Sequence, residues 1–355
     1  MPRNRLTANP RSSRHPSRAV PEDIVLGIDL GATKVVSALI APDGTIVREG
    51  GRHVHSNDGP TGVLRSLLDS VEDCWESSPS PVPGAVGIAV AAQVDPASGT
   101  VIHAPNLGWR QVPLARNVSQ ALGGASVTVL NDARAATLAE WRLGAGRGSS
   151  NLFCMILGTG VGGSAVVGGR LLEGGAHALG EIGHITVASG GRKCHCPNTG
   201  CLEAYVGGWA IAERAQEAAR ADAKEASHLI ERAGSVDAIT ARTVFESDRA
   251  GDRLSGRLVR ETERYLADGA VSIANAFNPD TIVLGGGLIA GRPEFASVVE
   301  SAVRTRCQPP AATARVSIAR FGENSPLVGA AVAARESLLS GKPPRPGRGR
   351  AATSH

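Results

Sequence analysis

Within 18 residues this chain sets one imidazole and three thiols, in the run His184-x9-Cys194-x-Cys196-x4-Cys201. That is the donor set of a closed, four-coordinate zinc site. Four such ligands converge only if the segment between them closes on itself, so the run constrains the local fold more than any other feature. Its second cysteine pair is not C-x2-C, which separates it from an ordinary zinc finger. Carboxylates flank it at both ends: Glu181 in Gly180-Glu181-Ile182-Gly183-His184, and Glu203 two residues after Cys201. A metal clip with acids at its edges suits a polar binding site; the alternative is a set of reduced structural cysteines without metal.

The length of 355 residues exceeds what one core usually supports and predicts two lobes. A hydrophobic fraction of 42% and 44 glycines fit an α/β protein rich in tight turns. No apolar run reaches the ~18 residues of a membrane span, and no signal-peptide core is visible. Cys74, Cys154 and Cys307 lie outside the cluster, scattered and odd in number. That is no disulfide framework, and it predicts a reducing cytoplasm.

The net charge of +4 is unevenly placed. Residues 1–20 hold Arg3, Arg5, Arg11, Arg14 and Arg18, and residues 341–355 hold Lys342, Arg345, Arg348 and Arg350, with no acid in either. The remaining body has 28 basic against 33 acidic residues. Both tails are predicted to be disordered, and the acidic body speaks against nucleic-acid binding.

The pattern along the body predicts a strand Ile24–Asp29, a turn Leu30–Lys34, a strand Val35–Ile40 and, after Pro42-Asp43-Gly44, a strand Thr45–Gly50. A helix of about Gly62–Glu76 follows, with Val63, Leu67, Leu68 and Val71 at helical spacing. Pro79–Gly84 breaks it before a buried strand Ala85–Ala91. The second half repeats the logic: strand Leu152–Leu157, turn Gly158–Gly163, strand Ser164–Val167, tight turn Gly168-Gly169. Helices are expected at about 208–221, 240–248, 253–277 and Pro326–Leu339, with a strand Thr281–Leu284 before Gly285-Gly286-Gly287. Two lobes, each with a glycine turn, would face each other across a cleft.

Asp29-Leu30-Gly31-Ala32-Thr33-Lys34 is D-x-G-x-T-K: Gly31 lets the backbone approach a phosphate, Thr33 and Lys34 offer a hydroxyl and a cation, and Asp29 can hold a magnesium-bound water. A plain hairpin turn is the alternative. Gly158-Thr159-Gly160-Val161-Gly162-Gly163 can aim backbone N–H groups at anionic oxygens. It is not a dinucleotide fingerprint, because a strand and not a helix follows it. Asn131 reads as the N-cap of a helix Ala133–Arg142. Asp132 in its first turn either accepts a proton from a hydroxyl or only complements the helix dipole. Asn106, in Pro105-Asn106-Leu107-Gly108-Trp109, can give and take hydrogen bonds, as a polyol requires. Trp109 walls a sugar or fills a core.

In this order, D-x-G-x-T-K, A-P-N-L-x-W, N-D-A before a helix, G-T-G-V-G-G, E-x-G-H and C-x-C-x4-C-x-E resemble the ROK sugar kinases over about residues 24–335. The resemblance implies a two-lobed, actin-like (hexokinase-type) α/β ATPase fold with an inserted zinc-binding loop. It implies a small lobe over 21–130, joined by the helix 326–340, and a large lobe over 131–325. It implies Asp132 as general base toward the sugar 6-hydroxyl, with Asn106, Asn131, Glu181, His184 and Glu203 on the sugar. Asp29, Gly31, Thr33, Lys34, Gly158, Thr159, Gly160 and Gly162 would face Mg-ATP phosphates, and Gly286 and Gly287 the adenosine. His184, Cys194, Cys196 and Cys201 would hold structural zinc. The implied partners are a small sugar and ATP, with neither nucleic acid nor membrane, in a dimeric or tetrameric homo-oligomer.

Glucose is the expected sugar; N-acylmannosamine and fructose are alternatives, and polyphosphate is an alternative donor. A sugar-responsive regulator is disfavoured because only about 20 residues precede the first strand, too few for a helix-turn-helix domain. Three departures bear on loop shape: Arg134 stands where the family often has Asn, Val90-Ala91-Ala92-Gln93-Val94-Asp95 lacks the common Pro-Gly, and Cys196-Pro197 replaces Cys-Gly.

Overall fold

The computed structural model describes residues 23–75 and 84–340. The tails at 1–20 and 341–355, and most of the break expected at Pro79–Gly84, lie outside the described residues.

The body opens with the expected meander: β1 Val25–Leu30, β2 Lys34–Ile40 and β3 Ile46–His53. β3 runs past the predicted end at Gly50, pairing with β2 as far as Lys34↔His53. Gly50 is no strand stop. A Cβ there would lie 2.5 Å from the Ser70 carbonyl, so the glycine lets a helix pack on the strand. That helix, α1 Gly59–Trp75, begins three residues earlier than predicted and buries Val63, Leu67 and Val71. After β4 Ala85–Val90 comes an unpredicted antiparallel side sheet of β5 Gln93–Asp95, β6 Thr100–Ala104 and β7 Trp109–Val112. Trp109 is 1% exposed and fills the core beneath it. Then come α2 Leu114–Ala121, β8 Ser126–Asn131 and α3 Asp132–Arg142.

The second half holds β9 Leu152–Leu157, β10 Val161–Val167 and β11 Arg170–Leu171, then, beyond the cysteine segment, α4 Glu203–Val206, α5 Gly208–Ala221, α6 Ser227–Ala233 and α7 Ala241–Arg249. The long α8 Arg253–Phe277 is started by Asp252, whose carboxylate accepts the Ser255 N–H, and stopped by left-handed Asn278. β12 Thr281–Gly285, α9 Gly287–Gly291, α10 Phe295–Arg306, β13 Arg315–Ile318 and α11 Ser325–Ser340 complete the body.

The duplication goes further than two turns. The sheets run β3-β2-β1-β4-β8 and β11-β10-β9-β12-β13. Each has a central strand with an antiparallel neighbour on one side and two parallel strands on the other. β10 begins at Val161, not Ser164, so Gly162 and Gly163 already pair with Ile156 and Met155. The true turn is Gly158–Gly160, closed by the Gly158 N–H on the Gly160 carbonyl.

α11 lies between the first sheet and α3. A Cβ on Gly87 would fall 1.8 Å from the Ala330 carbonyl, and one on Gly329 1.7 Å from the Ala135 carbonyl. Backbones therefore touch directly on both sides of the helix. Nearby, the fully buried carboxylate of Glu140 accepts hydrogen bonds from the N–H groups of Ala145, Arg320 and Phe321 and from the Ser325 hydroxyl.

Candidate active site

Register brings the first carboxylates together. Leu30 pairs with Val90, and Val90 with Asn131, so β1, β4 and β8 end in one row. Asp29 is the penultimate residue of β1 and Asp132 opens α3, two strand spacings apart, about 10 Å in backbone terms. Asn131 caps α3 by accepting the Arg134 N–H at 3.2 Å. Its amide donates to Asp132 Oδ1 at 3.0 Å and to the Ala92 carbonyl at 3.3 Å. Asp132 Oδ1 also accepts the Ala133 N–H.

Burial raises the Asp132 pKa against those hydrogen bonds. Burial, and next the charge of Asp132, push Asp29 up to about 7, opposed by Lys34. The two acids thus sense each other. Gly31 closes the turn with its N–H on the Lys34 carbonyl, leaving Thr33 and Lys34 exposed.

From the other half, Glu181 has 66% of its side chain exposed and one oxygen 4.0 Å from His184 Nε2. Partial desolvation raises its pKa; His184 lowers it, and Asp132 and Glu203 raise it further. Asp132, Glu181, His184 and Glu203 therefore form one electrostatic cluster. Glu203 is held tightly: Oε2 accepts the Val161 N–H at 2.7 Å and Oε1 the Trp209 indole N–H at 3.3 Å. Asn106 is exposed on a 3-10 turn, Pro105–Leu107.

The four predicted metal ligands offer donor atoms within 4.8 Å of one another. Cys196 Sγ lies 3.6 Å from Cys201 Sγ, and Cys194 Sγ 3.7 Å from His184 Nδ1. A zinc tetrahedron with Zn–S near 2.3 Å has S···S edges of about 3.8 Å, so the donors fit the ion in kind and spacing. Burial pushes the Cys201 thiol up to about 12 and raises Cys194, while hydrogen bonds lower Cys196. Metal binding would offset the cost of ionising such thiols. His184 presents Nδ1 to the cysteines and Nε2 to Glu181.

On the far side of the Gly158–Gly160 turn is a cavity of ≈ 590 Å³ lined by Gly158, Thr159, Gly286, Gly287, Trp209 and Glu323. Gly286 has φ +89°, and a Cβ there would meet the Leu157 carbonyl at 2.3 Å. Gly162 serves packing: it faces Ala133 of α3 from within β10. Gly160 leaves room for Glu203, whose Oε2 would be 2.5 Å from an added Cβ. Trp209, Thr240, Arg242 and Glu323 also line this cavity; no motif marks them in the sequence, because elements distant in the chain bring them there.

The departures also have structural roles. Arg134, 7% exposed in its side chain, reaches Glu173 Oε1 at 3.0 Å, and Glu173 also meets His177 Nδ1 at 3.4 Å. Gln93 donates to the Ala176 carbonyl at 2.9 Å. The 173–177 turn ahead of Glu181 is thus gripped from α3 and from the side sheet. Without Pro-Gly, the turn after β4 still closes through the Ala92 N–H on Val90.

The ROK family model matches residues 25–337. The chain belongs to the ROK family. Among ROK relatives, the glucokinase of Streptomyces coelicolor is 32% identical over 88% of this chain and 98% of its own length. The crystal structure of a ROK family glucokinase from Streptomyces griseus, in complex with glucose and AMPPNP, matches at a TM-score of 0.78 and 32% identity, covering 88% of this chain and 99% of that one. The xylose repressor of Caldicellulosiruptor bescii is 28% identical over 74% of this chain but only 65% of its own length. The two similar five-stranded sheets are those of the actin-like ATPase fold seen in these ROK kinases.

Proposed function

We propose that this ROK protein is an ATP-dependent hexose kinase that phosphorylates the 6-hydroxyl of glucose, with Asp132 as general base. The observation that carries the reading is the placing of Asp132 at the start of α3, fixed by Asn131 and within electrostatic reach of Asp29 and Glu181. The glucokinase relatives, one of them solved with glucose and AMPPNP, support the same activity.

Phosphoryl transfer passes through a loose transition state, so positioning and charge neutralisation supply most of the gain. A sugar hydroxyl is too weak an acid to ionise beforehand. Asp132 orients it and accepts its proton late, and burial makes that carboxylate a better base than a solvated one. Asn106, Asn131, Glu181, His184 and Glu203 hold the remaining hydroxyls. The Gly158–Gly160 turn, Gly286 and Gly287 take the nucleotide, and Thr33 and Lys34 face its phosphates. Magnesium, when bound, neutralises triphosphate charge beside Asp29. His184, Cys194, Cys196 and Cys201 would hold zinc, which would fix the His184 ring and leave its face toward Glu181 for the sugar. The small lobe is residues 21–130 with 326–340, the large lobe residues 131–325. The six free cysteines fit a cytoplasmic location, and a homo-oligomer completes the proposal.

A phosphorylation screen of hexoses and N-acetylhexosamines, with ATP or polyphosphate as donor, tests the proposal. Glucose with ATP should give the highest kcat/KM. A preference for N-acetylmannosamine or fructose would move the substrate and keep the chemistry. Turnover with none of them would sink the kinase reading and leave a sugar-responsive regulator.

A further inference from the structure

Trp209 makes contacts that an ordinary core residue would not. It is the second residue of α5, and its backbone is already fixed: its own N–H is bonded to the Thr159 carbonyl at 3.2 Å and that of Gly208 to Gly158 at 2.9 Å. Yet the indole does three further things. Its Nε1–H donates to Glu203 Oε1 at 3.3 Å. Its ring stacks on the His195 imidazole, 3.8 Å between centroids and 18° from parallel. It also lines two cavities, the ≈ 590 Å³ space behind the Gly158–Gly160 turn and an ≈ 760 Å³ space walled by Arg192, Lys193, His195 and Cys196. His195 stands between two of the clip cysteines, Cys194 and Cys196. The other oxygen of Glu203 takes the Val161 N–H, at the start of the strand that leaves the glycine turn.

We infer that Trp209 is a positioning residue that aims Glu203 at the sugar while forming a wall of the nucleotide pocket, and that the cysteine clip braces it through His195. The inference rests on the reading of Glu203 as a sugar ligand. A carboxylate with one oxygen tied to the backbone can still swing the other. The indole N–H limits that freedom with a hydrogen bond of 3.3 Å, and the stacked imidazole keeps the indole from turning away.

The test compares W209F, H195A, E203Q and the W209F/E203Q double variant, each checked by mass spectrometry for unchanged metal content. W209F keeps the ring and the stack but loses the N–H. Calorimetry should show glucose binding weakened about tenfold in W209F, the scale of one lost hydrogen bond to a charged group. ADP binding should weaken less than glucose binding, because the phenylalanine ring still stands in that wall. The double variant should bind glucose no worse than E203Q alone, since both changes remove one interaction. H195A should weaken glucose severalfold through the loosened ring. ADP should change the tryptophan emission of the wild type, and that change should vanish in W209F. If W209F binds glucose like the wild type while E203Q is impaired, Trp209 does not position Glu203. If E203Q itself binds glucose normally, the sugar role of Glu203 fails and the positioning claim with it. An ADP-induced emission change of undiminished size in W209F would come from the other three tryptophans and removes Trp209 from the nucleotide pocket.

Discussion

Asp132 answers to two opposing demands. Burial raises its proton affinity, and the N–H groups of Ala133 and Asn131 lower it. The result is a base that is stronger than a surface carboxylate but costly to keep ionised. D132N keeps the shape and cannot accept a proton, so kcat should fall by about 10²–10⁴-fold with glucose affinity largely kept. Retention of more than a tenth of wild-type turnover would remove Asp132 as the base. The same variant should be more thermostable than the wild type without ligands. A carboxyl whose pKa is raised on folding holds its proton more firmly in the folded chain, so stability falls as pH rises from the unfolded value near 4 through the folded value. For Asp29 that window ends at about 7, and removing the Asp132 charge narrows it. The stability gain of D132N should therefore be plain at pH 7.5 and shrink toward pH 4 in thermal melts. Single residues of this kind were legible in the sequence because their chemistry is rare at their position. Trp209 was not, since an indole in a helix reads equally well as core.

At the scale of elements, the clip was the most legible piece, because three thiols and an imidazole at short spacing have few other uses. C196S should lower zinc content and the melting temperature together, since the binding energy of such a site is folding energy. Full zinc occupancy in the variant would exclude Cys196 as a ligand. The glycine turn was legible in kind but not in length, because a strand of glycines and small residues has no side-chain pattern to mark where β10 begins. The side sheet β5–β7 went unseen for a related reason: strands of three to five residues carry too little alternation. Arg134 was noted only as a departure, and its partner lies 39 residues away in the chain. R134A would free the 173–177 turn that leads into Glu181, so the glucose KM should rise severalfold with the ATP KM within twofold. Equal loss on both sides would instead mark a general packing defect.

Across the whole molecule, the repeated strand order was visible only as two glycine turns; β4 and β8 in one sheet, and β12 and β13 in the other, pair parallel across long crossovers that local pattern does not report. Glu140 ties the end of α3 to the loop before α11 by accepting four hydrogen bonds in full burial. E140A strands those donors, and each buried orphan costs about 1–3 kcal/mol. Urea unfolding should show a loss of at least ~3 kcal/mol, and a loss below ~1 kcal/mol would mean that water replaces the carboxylate.

The direct backbone contact of α11 with β4 and α3 also sets an order of events in synthesis. The face of the first sheet that this helix covers is made early, and its cover arrives only with residues 325–340. Until then Leu327 and its neighbours cannot shield Val25, Ile40 and Ala85. The first sheet, although begun first on the ribosome, must therefore wait for α11 to be translated, with this apolar face uncovered meanwhile.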